Sequence, residues 1–130
     1  MSSIFTKIIL GEIPSYKIAE DDNFYAFLDI SPLAQGHTLV VPKLEEDYLF
    51  DLDDDLLAKM MVFNKWVASA IKKAFPCNRI GVSVIGLEVP HAHVHLIPIN
   101  RMDDMNFANP KLKLSDAEFQ EIVYKIKENL

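Results

Sequence analysis

From His91 to Ile97 the chain alternates histidine and apolar residues: His91-Ala92-His93-Val94-His95-Leu96-Ile97. A period of two belongs to an extended strand, in which residues i, i+2 and i+4 project to one face. The alternation therefore predicts that His91, His93 and His95 line one surface while Ala92, Val94 and Leu96 pack on the other. His37, the only other histidine of four, opens a different predicted strand and can approach the same surface.

Three imidazoles on one face suit phosphoryl chemistry. Neutral imidazole is both nucleophile and base near neutral pH. One ring nitrogen can attack phosphorus that carries a good leaving group, giving a phosphohistidine that water later hydrolyses. Neighbouring N–H groups would stabilise the charge on the oxygens and assist the departing group. The attacking ring must keep one nitrogen unprotonated, so its other N–H needs a fixed acceptor such as a backbone carbonyl. Two plainer readings stand beside this one. A histidine on a strand is usually an ordinary core or surface residue, and alternating histidines can also chelate zinc.

The rest of the chain supplies a frame. Ile4 to Leu10 is apolar and predicts a short helix or turn stopped by Gly11 and Pro14. Tyr16–Glu20 and Phe24–Ile30 predict a hairpin around Asp21-Asp22-Asn23. His37–Val41 predicts a third strand ending at Pro42, with Arg79–Ile85 and His93–Ile99 as the fourth and fifth. Asp53 to Phe75 has helical spacing, acidic residues at its start, lysines at its end and Pro76 after it. Ser115-Asp-Ala-Glu118 is a capping-box pattern opening a last helix with Phe119, Ile122, Val123 and Ile126 on one face. Short strand connections with helices inserted as blocks predict an α+β fold, an antiparallel sheet with helices packed on one face.

Composition narrows the partners. The 130 residues, half of them hydrophobic, suit one domain over residues 1–130 with a real core. Scattered lysines and arginines and a net charge of −6 argue against a nucleic acid polymer, which needs clustered cations. A few local donors could still hold one phosphoryl group. No stretch approaches the length of a membrane helix. A lone Cys77 and an N-terminus unlike a secretory signal predict a cytoplasmic protein.

The histidine segment resembles that of the histidine triad superfamily. Ile4-Phe5 through Gly11-Glu12-Ile13-Pro14, Phe27-Leu28-Asp29-Ile30-Ser31-Pro32 and Gly36-His37-Thr38-Leu39-Val40-Val41-Pro42-Lys43 are similar to its Hint branch, in order and separation, over roughly residues 4 to 99. The resemblance implies a five-stranded antiparallel sheet, extended across a homodimer. It further implies hydrolysis or transfer of purine nucleoside monophosphates (AMP- or GMP-type) through a nucleotidyl-histidine. His93 would be the nucleophile, His95 and His91 would bind phosphate and help the leaving group, and His37 would be the fourth histidine. Asp29 would hold the ribose, as a carboxylate with two acceptor oxygens can. Phe5, Ile8, Ile13, Phe27 and Ile30 match positions that sandwich the purine, and each is equally a core candidate.

Departures are visible as well. Relatives with a zinc-binding Cys-x-x-Cys carry it where this chain has Ser3 and Thr6, so no metal and no cofactor is expected. Gly86-Leu87-Glu88-Val89-Pro90 is short and lacks the polar residue that contacts phosphate in the family. Glu88 would repel phosphate unless it points away. Ser83 stands where many relatives have asparagine. Alternatives are a dinucleoside polyphosphate hydrolase, a nucleotide-binding regulator with vestigial catalysis, and a metal-binding protein.

Overall fold

The computed structural model describes residues 2–130. Helix α1 (Ile4–Ile9) begins at Ser3, whose hydroxyl accepts the Thr6 N–H as an N-cap. The chain then forms β1 (Lys17–Glu20) and β2 (Phe24–Leu28). Asp21 closes the turn between them, its carboxylate accepting the N–H groups of Asn23 and Phe24 at 2.8 Å each. Next comes β3 (Thr38–Pro42), and then the long helix α2 (Asp54–Ala74), capped by Asp53 and followed by Pro76. Strands β4 (Arg79–Ser83) and β5 (Val94–Ile99) precede α3 (Asp116–Lys127), which opens on the expected capping box of Ser115 and Glu118. Single 3-10 turns lie at Leu49–Asp51 and Met102–Met105, outside the elements the sequence pattern predicts.

The five strands form one antiparallel sheet in the order β1-β2-β3-β5-β4. Register decides which side chains share a face, because residues paired across strands project together. Ala26, Val40 and Val94 form one such row, and Leu28, Thr38, Leu96 and Val82 another. Most of these pack with Met60, Phe63, Val67 and Ile71 of α2 and with Phe119, Ile122, Val123 and Ile126 of α3 in the main core. The two long helices thus cover one face, as expected. The opposite face carries Tyr25 with Val41, and Phe27, Leu39, His95 and Ser83 in one row. Short α1 lies there, burying Phe5 and Ile8 against Tyr25, Phe27, Leu39 and Val41. With both faces covered, β2 and β3 are buried at every position.

The histidine segment departs from its expected conformation. The ladder of β5 starts at Val94, so His91 and His93 precede the strand and only His95 lies within it. Continued by two residues, the register would set Ala92 opposite Pro42, which has no N–H to give. The Ala92 N–H donates instead to the Glu46 carbonyl at 2.7 Å, and the His91 N–H turns back onto Val89. His37 likewise sits just before β3. It follows Gly36 at φ +91°, where a Cβ would come within 3.0 Å of the Phe75 ring.

Candidate active site

Four histidines converge on the α1 face. Ring centroids of His93 and His95 are 5.1 Å apart, those of His95 and His37 5.2 Å, and Phe5 stands edge-on to His93 at 5.0 Å. All four rings are buried. Their hydrogen bonds can be oriented, because several partners have no choice of role: a carbonyl only accepts and a backbone N–H only donates.

The His91 carbonyl accepts from His93 Nδ1 at 2.8 Å. His93 therefore carries its proton on Nδ1, and its Nε2 is left with a lone pair. The Leu33 N–H donates to His37 Nδ1 at 2.9 Å, so the His37 proton sits on Nε2. From there it is given to His95 Nδ1 at 3.0 Å. His95 in turn carries its proton on Nε2. Among the described residues, the site thus offers one free imidazole lone pair, on His93, beside one free imidazole N–H, on His95.

Burial sets the charge state. It pushes His37 down to about 3, helped by the neighbouring His95 and Lys111, and His95 down to about 4, helped by His93. Both are neutral at physiological pH, so His95 Nε2–H is a hydrogen-bond donor and not a stored acid. Asp29, at the end of β2, has its Oδ2 3.6 Å from His37 Nε2, and its Oδ1 accepts the Ser31 N–H at 2.8 Å. Burial raises the Asp29 carboxyl above its ordinary value. Among the described residues, Asp29, His37 and His95 also form a group with donor atoms close enough to hold a metal ion, within 4.8 Å of one another.

His91 does not present an open ring. It is fully buried, its Nε2–H donating to the Pro42 carbonyl and its Nδ1 accepting from Ser3 Oγ, both at 2.7 Å. Neither nitrogen is free for a phosphate, which revises the expectation that this ring binds one. Its contribution to the site is the backbone carbonyl that orients His93.

The HIT domain family model matches residues 10–102. The chain belongs to the HIT family. An uncharacterised HIT-like protein of Borreliella burgdorferi is 38% identical over 98% of this chain and 97% of its own length. The adenosine 5'-monophosphoramidase of Schizosaccharomyces pombe is 35% identical over 98% of this chain and all of its own. A crystal structure of a Hit-like protein from Bartonella henselae superimposes with a TM-score of 0.85 at 34% identity, covering 99% of this chain and 97% of that one.

The other residues singled out by the resemblance divide. Phe5, Ile8, Phe27 and Ile13 meet in the apolar cluster beneath the histidines, where Phe5 and Phe27 pack edge to face at 5.5 Å. Ile30 is outside it, 73% exposed beside Asp29. Ser83 is paired with His95 across β4 and β5 and shares its face. Glu88 is exposed in the loop before the triad, and its charge acts on Asp29. Sequence reasoning missed the segment that follows β5. Phe107 packs against His95 at 4.9 Å and His37 at 6.3 Å, and Lys111, held by the Phe107 and Asn109 carbonyls, places a positive charge near Asp29 and His37. No motif marks either residue. Also missed was Glu45, which meets Ser3 and Thr6 at the foot of α1.

Proposed function

We infer that this protein is a nucleotidyl hydrolase or transferase that attacks the α-phosphate of a purine nucleoside monophosphate derivative through His93 Nε2. The carrying observation is the locked His93 tautomer, with Nδ1–H held on the His91 carbonyl and Nε2 unoccupied beside the His95 N–H. The phosphoramidase of S. pombe, similar along its whole length, supports an amine as leaving group.

In the first step the His93 Nε2 lone pair forms a bond to phosphorus as the phosphorus–nitrogen bond of the substrate breaks. The departing amine keeps that electron pair, takes a proton from solvent and leaves neutral. His95 Nε2–H donates to a non-bridging oxygen as charge builds there. In the second step water attacks phosphorus, loses its proton to solvent, and the bond to Nε2 breaks, which restores the lone pair. Throughout, Nδ1–H stays on the His91 carbonyl, where it stabilises the positively charged nucleotidyl-imidazole. Asp29 takes the ribose hydroxyls, and Phe5, Ile8, Ile13, Phe27 and the exposed Ile30 form the apolar side of the purine site. Ser83 is the polar residue nearest in register to His95. His93→Ala should abolish nearly all turnover of adenosine 5'-phosphoramidate while AMP binding persists. Wild-type turnover in that variant would defeat the mechanism.

A homodimer joined along β4 and α2 belongs to the same reading. β4 is a sheet edge, Val82 on it is exposed, and Met61 and Val62 of α2, also exposed, lie beside it. Between them lies Asn64, buried, with neither side-chain polar atom partnered among the described residues. Such a group is costly unless something satisfies it, and a second copy on this edge would supply both apolar cover and a partner.

A further inference from the structure

The groups that hold His91 form a closed network outside the reacting centre. Glu45 Oε1 accepts the Ser3 N–H and the Thr6 hydroxyl, each at 2.6 Å. Ser3 Oγ accepts the Thr6 N–H at 3.0 Å and meets His91 Nδ1 at 2.7 Å. Proton positions are again forced. The Pro42 carbonyl claims His91 Nε2–H, so Nδ1 has no proton and the Ser3 hydroxyl must donate to it. The Thr6 hydroxyl must donate to the carboxylate. Every hydrogen of the chain Glu45–Thr6–Ser3–His91–His93 is thereby assigned.

One short loop anchors all of it. Residue 42 gives its carbonyl to the His91 ring, residue 45 gives its carboxylate to the first turn of α1, and residue 46 gives its carbonyl to the Ala92 N–H. His91 and Ala92 have no ladder partner to hold them, because β5 begins at Val94. Without strand pairing, the direction of the His91 carbonyl depends on the bond from the Ala92 N–H, in the same peptide unit, to Glu46 and on the side-chain bonds that hold the His91 ring. That carbonyl is what keeps the proton of His93 on Nδ1.

We propose that Ser3, Thr6 and Glu45 are positioning residues for the nucleophile: they clamp the His91 ring, and through the His91 carbonyl they fix the tautomer and orientation of His93. None of the three need touch substrate. Ser3→Ala would leave His91 Nδ1 buried without a donor, freeing the ring to rotate or exchange tautomers. The 91–92 segment would then hold its carbonyl less firmly. Displacement of a catalytic group on the ångström scale costs on the order of a hundredfold in rate. The proposal rests on the reading of His93 as nucleophile, but the ring state of His93 can be measured without any substrate.

The experiment compares wild type with Ser3→Ala, Ser3→Thr and Glu45→Ala. Nitrogen-15 NMR of the histidine rings in the free protein should show wild-type His93 as a single Nδ1-protonated tautomer. Ser3→Ala should give mixed tautomers at His93, a tenfold or larger loss of kcat on adenosine 5'-phosphoramidate and an AMP Kd within twofold of wild type. Ser3→Thr, which keeps the hydroxyl, should restore both signals and rate. Glu45 is exposed, so Glu45→Ala should fold even if Ser3→Ala does not, and should show a weaker form of the same split. An unchanged His93 tautomer in both Ser3→Ala and Glu45→Ala overturns the proposal. So does wild-type kcat in both. Loss of turnover that only tracks loss of thermal stability or AMP affinity, with the His93 signals intact, overturns it as well. If no variant, wild type included, turns over the phosphoramidate while the tautomer changes as expected, the substrate assignment fails and the positioning network stands.

Discussion

Lowering the pH from 7 to 5 should destabilise this protein by about 4 kcal/mol, and the two buried neutral histidines at the site are the reason. An unfolded histidine titrates near 6.5, whereas the fold holds His37 to about 3 and His95 to about 4. A base whose folded pKa is depressed binds its proton only on unfolding. The stability it contributes is complete above about 6.5 and is lost as pH falls from there towards the folded value. At pH 5 each unfolded ring is almost fully protonated and each folded ring is not, which costs about 2 kcal/mol per group. Between pH 6 and 5 unfolding should take up close to two protons, a slope approaching 2.7 kcal/mol per pH unit. Against a typical total of about 5–15 kcal/mol this is a large fraction. Burial pushes His91 in the same direction. Glu45 is held down to about 2, chiefly by the Ser3 N–H, so its contribution is complete above the ordinary carboxylate value and is lost as the pH falls from there towards 2, below this window. The Asp29 shift is upward and opposes acid unfolding. Urea unfolding across pH 5–7 measures the effect, and His37→Gln should roughly halve the slope. A flat profile, or stability rising as the pH falls, would refute the assigned neutral pair.

Other outcomes follow from the same geometry. Asp29→Asn should raise KM for a ribonucleotide substrate about tenfold or more and erase any preference over its 2'-deoxy analogue; steady-state kinetics on the pair decides it. Phe107→Ala should uncover the His95 and His37 rings, so that the His95 titration followed by NMR moves up towards 6.5; an unmoved titration means the phenyl ring does not shield them. Val82→Glu, placing a charge on the open β4 edge, should yield a monomer by light scattering if that edge joins two copies. A wild-type chain already monomeric at micromolar concentration would remove the proposed interface.

Much of this was legible because local pattern and tertiary context agree. Helices α2 and α3 form where apolar spacing, acidic first turns and capping residues all coincide. The alternation at 91–95 correctly grouped His93 with His95, since a period of two keeps them on one face. It could not show that the His91 ring, on the same face, has both nitrogens occupied, and the cause lies elsewhere in the chain. Pro42, with no N–H, stands where the ladder would have continued, and its carbonyl takes the His91 ring instead. The clamp of Ser3, Thr6 and Glu45 was illegible for a similar reason. Glu45 lies 39 residues from Thr6, and the His91 ring they hold lies 88 from Ser3, and only the N-cap serine has a local signature. Phe107 and Lys111 belong to a segment without regular structure, and nothing in its composition marks it as covering the site. Ile30 was grouped with the apolar cluster by resemblance, but the chain leaves the sheet after Leu28 and turns its side chain outward.

The claim that His93 Nε2 forms a bond to phosphorus can be tested by capture. Radiolabelled adenosine 5'-phosphoramidate, mixed with the protein and quenched in alkali within one turnover, should leave label on the peptide containing residues 91–95. His93→Ala should leave none and should not turn over. Unlabelled peptide during rapid turnover, or undiminished turnover by His93→Ala, would contradict the account.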